Sequence, residues 1–522
     1  MYRCSHSVYR TGGLETVTVF KNLSDVYPGK RNFFPLYLPW LSVITLEIAV
    51  LAPLRIAESD IWFHLRNAHE LLQRHQFLRS DLYTFTSAGA PLVNHEWLAE
   101  LPYYLGFQLC AQRGLLTVYL AALWGIFGVV YYTAVRRNSN YIDAALITML
   151  GVALGAYSFG PRMHHLGWLC MAILLDLLDR FERGGKGIWL LPLLFALWIN
   201  LHGSWLFGLV VVAIYGVAGS IRGQWGRVVA EGWNKKKLRQ LVVIAGVSIL
   251  ALFANPYGYR LLGYPFDMIF RQKANLQHVV EWQSVDFQAL PGKMALLMIL
   301  GVVAAAWFSP EHWRLVDVML TAFALVASLL HVRLLIFAAI VLVPILAPRL
   351  HFFSPYAPEK DKPWLNLAFS LGIAALIVAL FPSSATLNRR VETQFPGKAL
   401  ELLQETGRSG RLFHYYDFGG YIEWNRPETK TFADGRTDIF VHNGVFDDYL
   451  KINMVQDPLD LLDKYRIDYI LFPPDKSLAY VLDHNGEWRR IYQDRVANLY
   501  ERTDSASEKT QVTQPLAMVR VR

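Results

Sequence analysis

Glu58-Ser59-Asp60 sets two carboxylates at alternate positions, directly after a long apolar run. Such a pair can share a divalent ion, Mg or Mn, through oxygen ligands. Asp60 can instead act as a general base. The plainer alternative is capping, since Asp is favoured at helix N-caps and acids suit the positive end of the helix dipole. Asp81 and the pair His95-Glu96 lie further along the same loop and can converge with Asp60 in three dimensions. Arg162, His164 and His165 stand at the end of an apolar run, His202 interrupts another, and His331 and Arg333 separate two more. Ionisable groups in or beside a bilayer are costly, which makes each a candidate for function. Those at span ends can also snorkel to water. A pocket of such cations would suit a phosphate-bearing lipid, because guanidinium pairs well with phosphate oxygens.

Glu281-Trp282-Gln283-Ser284-Val285-Asp286 adds two acids and an aromatic that can stack on a sugar or anchor at the interface. Asp417-Phe-Gly-Gly-Tyr and Asp434-Gly-Arg-Thr-Asp read as turns and close packing. No phosphate loop, dinucleotide fingerprint, GxSxG or HExxH is present, so neither a nucleotide nor a flavin is expected. The three cysteines form no CxxC pair, which argues against a zinc site or disulfide framework.

The elements that must position these residues follow from composition. Of the 522 residues, 54% are hydrophobic and 18% charged, against about 25% charged in an average soluble domain. The apolar residues fall in blocks that match the length of a bilayer-spanning helix. About eleven spans are expected, near 33–54, 115–135, 141–158, 162–181, 188–200, 204–221, 240–256, 293–308, 315–331, 334–348 and 364–381. The 188–221 run, broken at Asn200-Leu201-His202-Gly203, is either two spans or one interrupted helix.

The net charge of +8 sits largely in short loops such as Arg136-Arg137 and Lys235-Lys236-Lys237. It therefore reads as topological anchoring rather than nucleic-acid binding. Residues 1–32 are polar, lack a cleavable signal and are expected to be cytoplasmic. With the N-terminus inside, an odd span count puts loop 55–114 and everything after 381 outside.

Within that loop, Ile61, Leu65, Ala68 and Leu72 share one helical face, with His64, Arg66, Asn67 and Glu70 elsewhere, as in a helix lying on the membrane surface. A second helix is expected from Asn94 to about Cys110. After residue 381 the pattern changes to strands at 411–414, 430–433, 468–472, 488–492 and 496–501, with helices at 445–455 and 458–465. The expected fold is an α-helical polytopic membrane protein with a C-terminal extramembrane α/β domain. The divisions are a transmembrane domain over 33–381, the α/β domain over 382–502 and a disordered tail over 503–522.

The runs Glu58-Ser-Asp-Ile-Trp-Phe-His-Leu, Ser80-Asp-Leu-Tyr-Thr-Phe-Thr and Asn94-His-Glu-Trp-Leu-Ala-Glu, taken in order, resemble the first outer loop of bacterial GT-C type polytopic glycosyltransferases. Protein mannosyltransferases and lipid A aminoarabinose transferases are more distant relatives. Leu197-Trp-Ile-Asn-Leu-His-Gly-Ser, Asn255-Pro-Tyr-Gly, Glu281-Trp-Gln-Ser and Asp417-Phe-Gly-Gly-Tyr extend the likeness over most of the chain.

The resemblance implies an inside N-terminus and a catalytic outer loop after span one. It implies transfer of a sugar from a polyprenyl-phosphate carrier, at the outer face of the cytoplasmic membrane, to a lipid, glycan or protein acceptor. The family's acidic motif falls on Glu58 and Asp60, where many members carry Asp at the first position. Arg333 resembles the basic residue used for the carrier phosphate. A non-catalytic lipid or polysaccharide transporter, or an envelope-assembly scaffold, is the competing expectation. It requires polar sites at mid-membrane and repeated halves.

Overall fold

The structure is a computed structural model that describes residues 37–138, 140–272, 277, 279–354 and 361–503. The expected N-terminal segment 1–32, the first four residues of span one and all of the tail except Thr503 lie outside the described residues.

A bundle of apolar helices forms the larger part. In chain order, α1 is Tyr37–Leu51, α2 Ile61–Arg74, α3 Trp97–Asn138, α4 Tyr141–Gly155, α5 His164–Glu182, α6 Leu191–Leu201 and α7 Trp205–Ser220. They are followed by α8 Lys235–Ala251, α9 Tyr259–Arg271, α10 Leu290–Phe308, α11 Leu315–Leu330, α12 Leu335–Leu346 and α13 Pro363–Leu380. Apart from α2 and α9, these helices stand where the eleven apolar runs were expected. Among the described residues, five helical runs are long and apolar enough to cross a bilayer alone, and four further apolar ones are shorter.

The protein is membrane-embedded, and its helices begin and end where the sequence chemistry dictates. The Asn140 side chain caps α4 by accepting from Ile142 and Asp143 amides, and Asn234 caps α8. The 188–221 run resolves into two helices, α6 and α7, separated by His202 in an extended conformation. Expected helix 94–110 and expected span 115–135 are one run, α3, with a break at Cys110 and Ala111. At the centre of the bundle, every residue of α12 is buried.

One end of the bundle is clamped by ion pairs. Arg137 meets Asp179 at 2.6 Å, Arg136 meets Asp176 at 3.0 Å, and Arg314 and Arg349 meet Asp317 at 2.6 and 3.0 Å. The basic pair at 136–137 is thus neutralised by acids on neighbouring helices, beyond any anchoring role. A short sheet lies near this end, with Arg222–Trp225 (β1) antiparallel to Val228–Glu231 (β2) and Trp313–Arg314 (β3) parallel to β2.

The C-terminal unit carries a mixed sheet. Leu412–His414 (β4) pairs parallel with Tyr469–Phe472 (β5), which pairs antiparallel with Asn498–Arg502 (β7), itself flanked by antiparallel Trp488–Gln493 (β6). Helices expected at 445–455 and 458–465 are present as Val445–Asn453 and Pro458–Lys464. Expected strand 430–433 does not join the sheet. It pairs with the first long loop instead: Thr431 bridges Thr84, the Phe85 amide donates to Thr431 O at 3.0 Å, and the Thr431 amide donates to Tyr83 O at 3.1 Å. Leu78, Tyr83 and Leu92 of that loop share a core with Phe413, Phe432, Phe440 and Phe472.

The α2 helix is also placed differently from the expectation. Ile61, Leu65 and Ala68 are buried as expected, but Leu72 is exposed and Trp62, Phe63, His64, Asn67 and Glu70 are buried as well. The helix is therefore covered by protein on more than the one face the pattern predicts. Trp62 makes edge contacts with Phe107 of α3 and with Phe395 and Tyr421 of the C-terminal unit, so α2 is sandwiched between the two parts.

Candidate active site

At the end of the bundle opposite the ion-pair clamp, a cavity of about 390 Å³ opens between the helices and the C-terminal unit. It is built from breaks in the helical run. The turn before α2 brings Asp60, and the first turn of α2 brings His64. The start of α3 brings His95 and Glu96, and the turn into α5 brings Arg162 and His164. The α6–α7 break brings His202, residues 281–282 bring Glu281 and Trp282, and the α11–α12 break brings His331 and Arg333. Nine sequence candidates therefore line one recess: Asp60, His64, His95, Glu96, Arg162, His164, His202, Glu281 and Arg333.

Asp60 stands at the N-cap position of α2, but its side chain makes no capping bond. The capping alternative does not hold, and the carboxylate faces the recess with its side chain 34% exposed. Burial in the protein raises the Asp60 carboxyl to about 7, against the pull of Arg162 and with a further push from Glu58 and Glu281. Arg162 is shared among three acids. It meets Glu58 at 2.6 Å, forms a short ion pair with Glu281, and lies 3.9 Å from Asp60.

Glu96 is ringed by imidazoles, with His64 Nε2 at 3.4 Å, His202 Nε2 at 3.5 Å and His95 Nε2 at 3.8 Å. Burial alone would raise the Glu96 carboxyl, but these histidines and Arg333 hold it below the ordinary range. His64 is fixed from behind, its Nδ1 lying 2.9 Å from the buried Glu100 carboxylate, which also accepts from Asn67 and Asn94. Burial opposes the charge of His64, yet Glu100 and Glu96 raise it above the usual imidazole range. His164 Nε2 is buried and has no hydrogen-bond partner among the described residues. Arg333 stacks over Trp282 at 4.4 Å and makes no ion pair among the described residues.

Two candidates lie elsewhere. Glu58 turns away from the cavity into a second, polar recess of about 480 Å³, shared with Ser59, Asp417, Lys476 and Arg495, and Arg162 forms the wall between the two. Asp81 is structural. It accepts from the Thr84 amide and hydroxyl and meets Arg436 at 2.9 Å, tying the first loop to the C-terminal unit.

A divalent ion shared by Glu58 and Asp60 does not fit this arrangement. Their carboxylates face different recesses, and the Arg162 guanidinium already carries the positive charge between them. Among the described residues, no group of three or more His, Cys, Asp or Glu side chains is arranged to hold a metal.

Sequence reasoning missed Tyr264, Trp168 and Asp438, all of which line the cavity. Tyr264 stacks on His95 with ring centroids 4.1 Å apart. Its signal lies in the amphipathic pattern of α9, which places an aromatic residue over the recess. Asp438 belongs to the Asp434-Gly-Arg-Thr-Asp run, which had been read as a turn. In fact Gly435 in that run packs so closely on Asp60 that a Cβ there would lie 2.5 Å from Asp60 Oδ1.

No family model matches the chain. No curated protein matches it either. It is similar to two solved structures of ArnT from Cupriavidus metallidurans. The one bound to undecaprenyl phosphate is 12% identical, covers 88% of this chain and 97% of its own, and has a TM-score of 0.48. The apo structure is 14% identical, covers 89% and 97%, and has a TM-score of 0.47. At these values, what the protein does must be decided by the side chains of its own cavity.

Proposed function

We propose that the protein is a membrane glycosyltransferase that moves a sugar from a polyprenyl-phosphate carrier to an acceptor hydroxyl. The observation that carries this reading is the polarity of the cavity. Asp60 stands on one side, poised between protonated and ionised near pH 7. Arg333 stands on another, with no ion pair among the described residues, and aromatic side chains lie around both. A cavity of about 300–1,000 Å³ with an apolar lining and a few convergent polar groups is the usual form of a small-molecule site.

In this mechanism Asp60 accepts the proton of the acceptor hydroxyl. The acceptor oxygen attacks the anomeric carbon from the face opposite the carrier and a glycosidic bond forms. The bond from that carbon to the phosphate oxygen breaks, and its electron pair leaves with the carrier phosphate. Arg333, assisted by the unpartnered His164, holds the charge that develops there. Arg162 plays a different part from a phosphate ligand. Its charge is committed to Glu58, Glu281 and Asp60, and it sets how readily Asp60 ionises.

The second recess offers a polar approach for an acceptor. The site end of the bundle and the C-terminal unit are assigned to the outer face of the cytoplasmic membrane, with the N-terminus inside. The ionisable residues of the cavity gather at helix breaks on one end of the bundle, beside the C-terminal unit, which supports transfer over transport. Incubating the purified protein with labelled polyprenyl-phosphate sugars and an envelope acceptor fraction tests the reading. Labelled product is expected, and tight binding without turnover would contradict it.

A further inference from the structure

The acids of the cavity do not all come from the membrane part. The segment 435–438 of the C-terminal unit forms one wall of the recess. It is held rigidly. Arg436 is buried and ion-paired to Asp434 and Asp81, the Thr437 hydroxyl lies 2.5 Å from the Tyr416 hydroxyl, and Ile439 and Phe440 are buried in the core. Between these anchors the Asp438 side chain lines the cavity. Asp438 is half-buried, and among the described residues no other side chain gives its carboxylate a hydrogen bond or an ion pair, which leaves it open to the cavity.

We infer that Asp438 is a sugar-binding residue, whose carboxylate takes hydrogen bonds from hydroxyl groups of the carrier-linked sugar and so helps to set which sugar the site accepts. This rests on the transferase reading and deepens it. A carboxylate repels phosphate, so the carrier phosphate belongs beside Arg333 and the sugar beside Asp438 and Asp60. Tyr264 lines the same cavity as Asp438 and Arg333, and an aromatic ring there suits stacking against a sugar face. The burial that raises the Asp438 carboxyl to about 7 also lets it either accept from or donate to a hydroxyl near neutral pH. Because the segment is pre-anchored, little ordering is lost when the sugar binds.

The test is a binding titration of the full-length protein in nanodiscs, as wild type, Asp438→Ala and Asp438→Asn. The ligands are polyprenyl phosphate alone and polyprenyl phosphate carrying glucose, mannose, galactose or arabinose. Wild type is expected to prefer one sugar-linked carrier over the bare carrier. Asp438→Ala should weaken that ligand by roughly 10- to 100-fold while leaving the bare carrier within about 2-fold, and Asp438→Asn should change the order of preference among the sugars. If wild type prefers no sugar-linked carrier, the transferase reading falls and this assignment with it. If wild type discriminates and Asp438→Ala discriminates equally, the assignment alone is overturned. An equal loss for bare and sugar-linked carrier also overturns it, because that is the mark of a packing defect.

Discussion

At the scale of the residue, the account turns on one acid and the guanidinium beside it. Replacing Asp60 with Asn removes the proton acceptor and keeps the shape. Transfer is expected to fall by about 10²- to 10⁴-fold with unchanged thermal stability. Because burial lifts the Asp60 carboxyl to about 7, the working carboxylate is lost as pH falls through that value. The rate kcat/KM should therefore rise with pH to a plateau above about 7. A flat profile between pH 5.5 and 8 would contradict the assignment of the base. Arg162→Met removes the cation that opposes this shift, so the acid limb should move to higher pH, and the unpaired Glu58 and Glu281 should lower the melting temperature as well.

These residues were largely legible in the sequence, since charged groups at the ends of apolar runs are costly and few. What the sequence hid was their pairing. The second charge in Glu58-Ser59-Asp60 faces another recess, and Asp81, which has the look of a site acid, is consumed by Thr84 and Arg436. Alternation along a chain says nothing about which way a side chain turns off a helix start.

At the scale of the element, the site is a set of helix interruptions held by the C-terminal unit. Hydrophobic periodicity located the helices well, because each span is a long apolar run. It was incomplete for α2, whose moderate hydrophobicity fits a helix with one covered face as well as a helix packed between two parts of the protein. It failed at 430–433, where the short run Lys-Thr-Phe-Ala reads as a strand whether it pairs with its own sheet or with a distant loop. The contact between Gly435 and Asp60 was beyond any periodicity. Gly435→Ala would put a methyl group against Asp60 Oδ1 and Phe63, and displacement of the base is expected to lower kcat by roughly 10- to 100-fold. Comparing kcat with the melting temperature checks this, and an unchanged kcat would show that Asp60 does not need its present position.

At the scale of the whole molecule, two ends of one bundle have different work. The end with the arginines is bound by buried acids, and Asp317, 1% exposed at its side chain, is the shared partner of Arg137, Arg314 and Arg349. Asp317→Ala takes from Arg349 its acid partner and from Arg137 and Arg314 one of theirs, and a loss of about 3–5 kcal/mol is expected, read as a lower melting temperature in detergent. The other end carries the cavity and the C-terminal unit, and the proposed topology puts it outside. In a Cys110→Ser background, Asp475→Cys should label with a membrane-impermeant thiol reagent on intact spheroplasts, since Asp475 is 73% exposed at its side chain. Labelling only after lysis would invert the topology.

The most direct test of the central claim is sugar transfer in proteoliposomes supplied with labelled polyprenyl-phosphate sugars and an envelope acceptor fraction, comparing wild type with Asp60→Asn. The account predicts labelled product from wild type and at least a hundredfold less from a folded Asp60→Asn protein that still binds the carrier. Equal transfer by the two proteins, or carrier binding by wild type with no transfer at all, would contradict it.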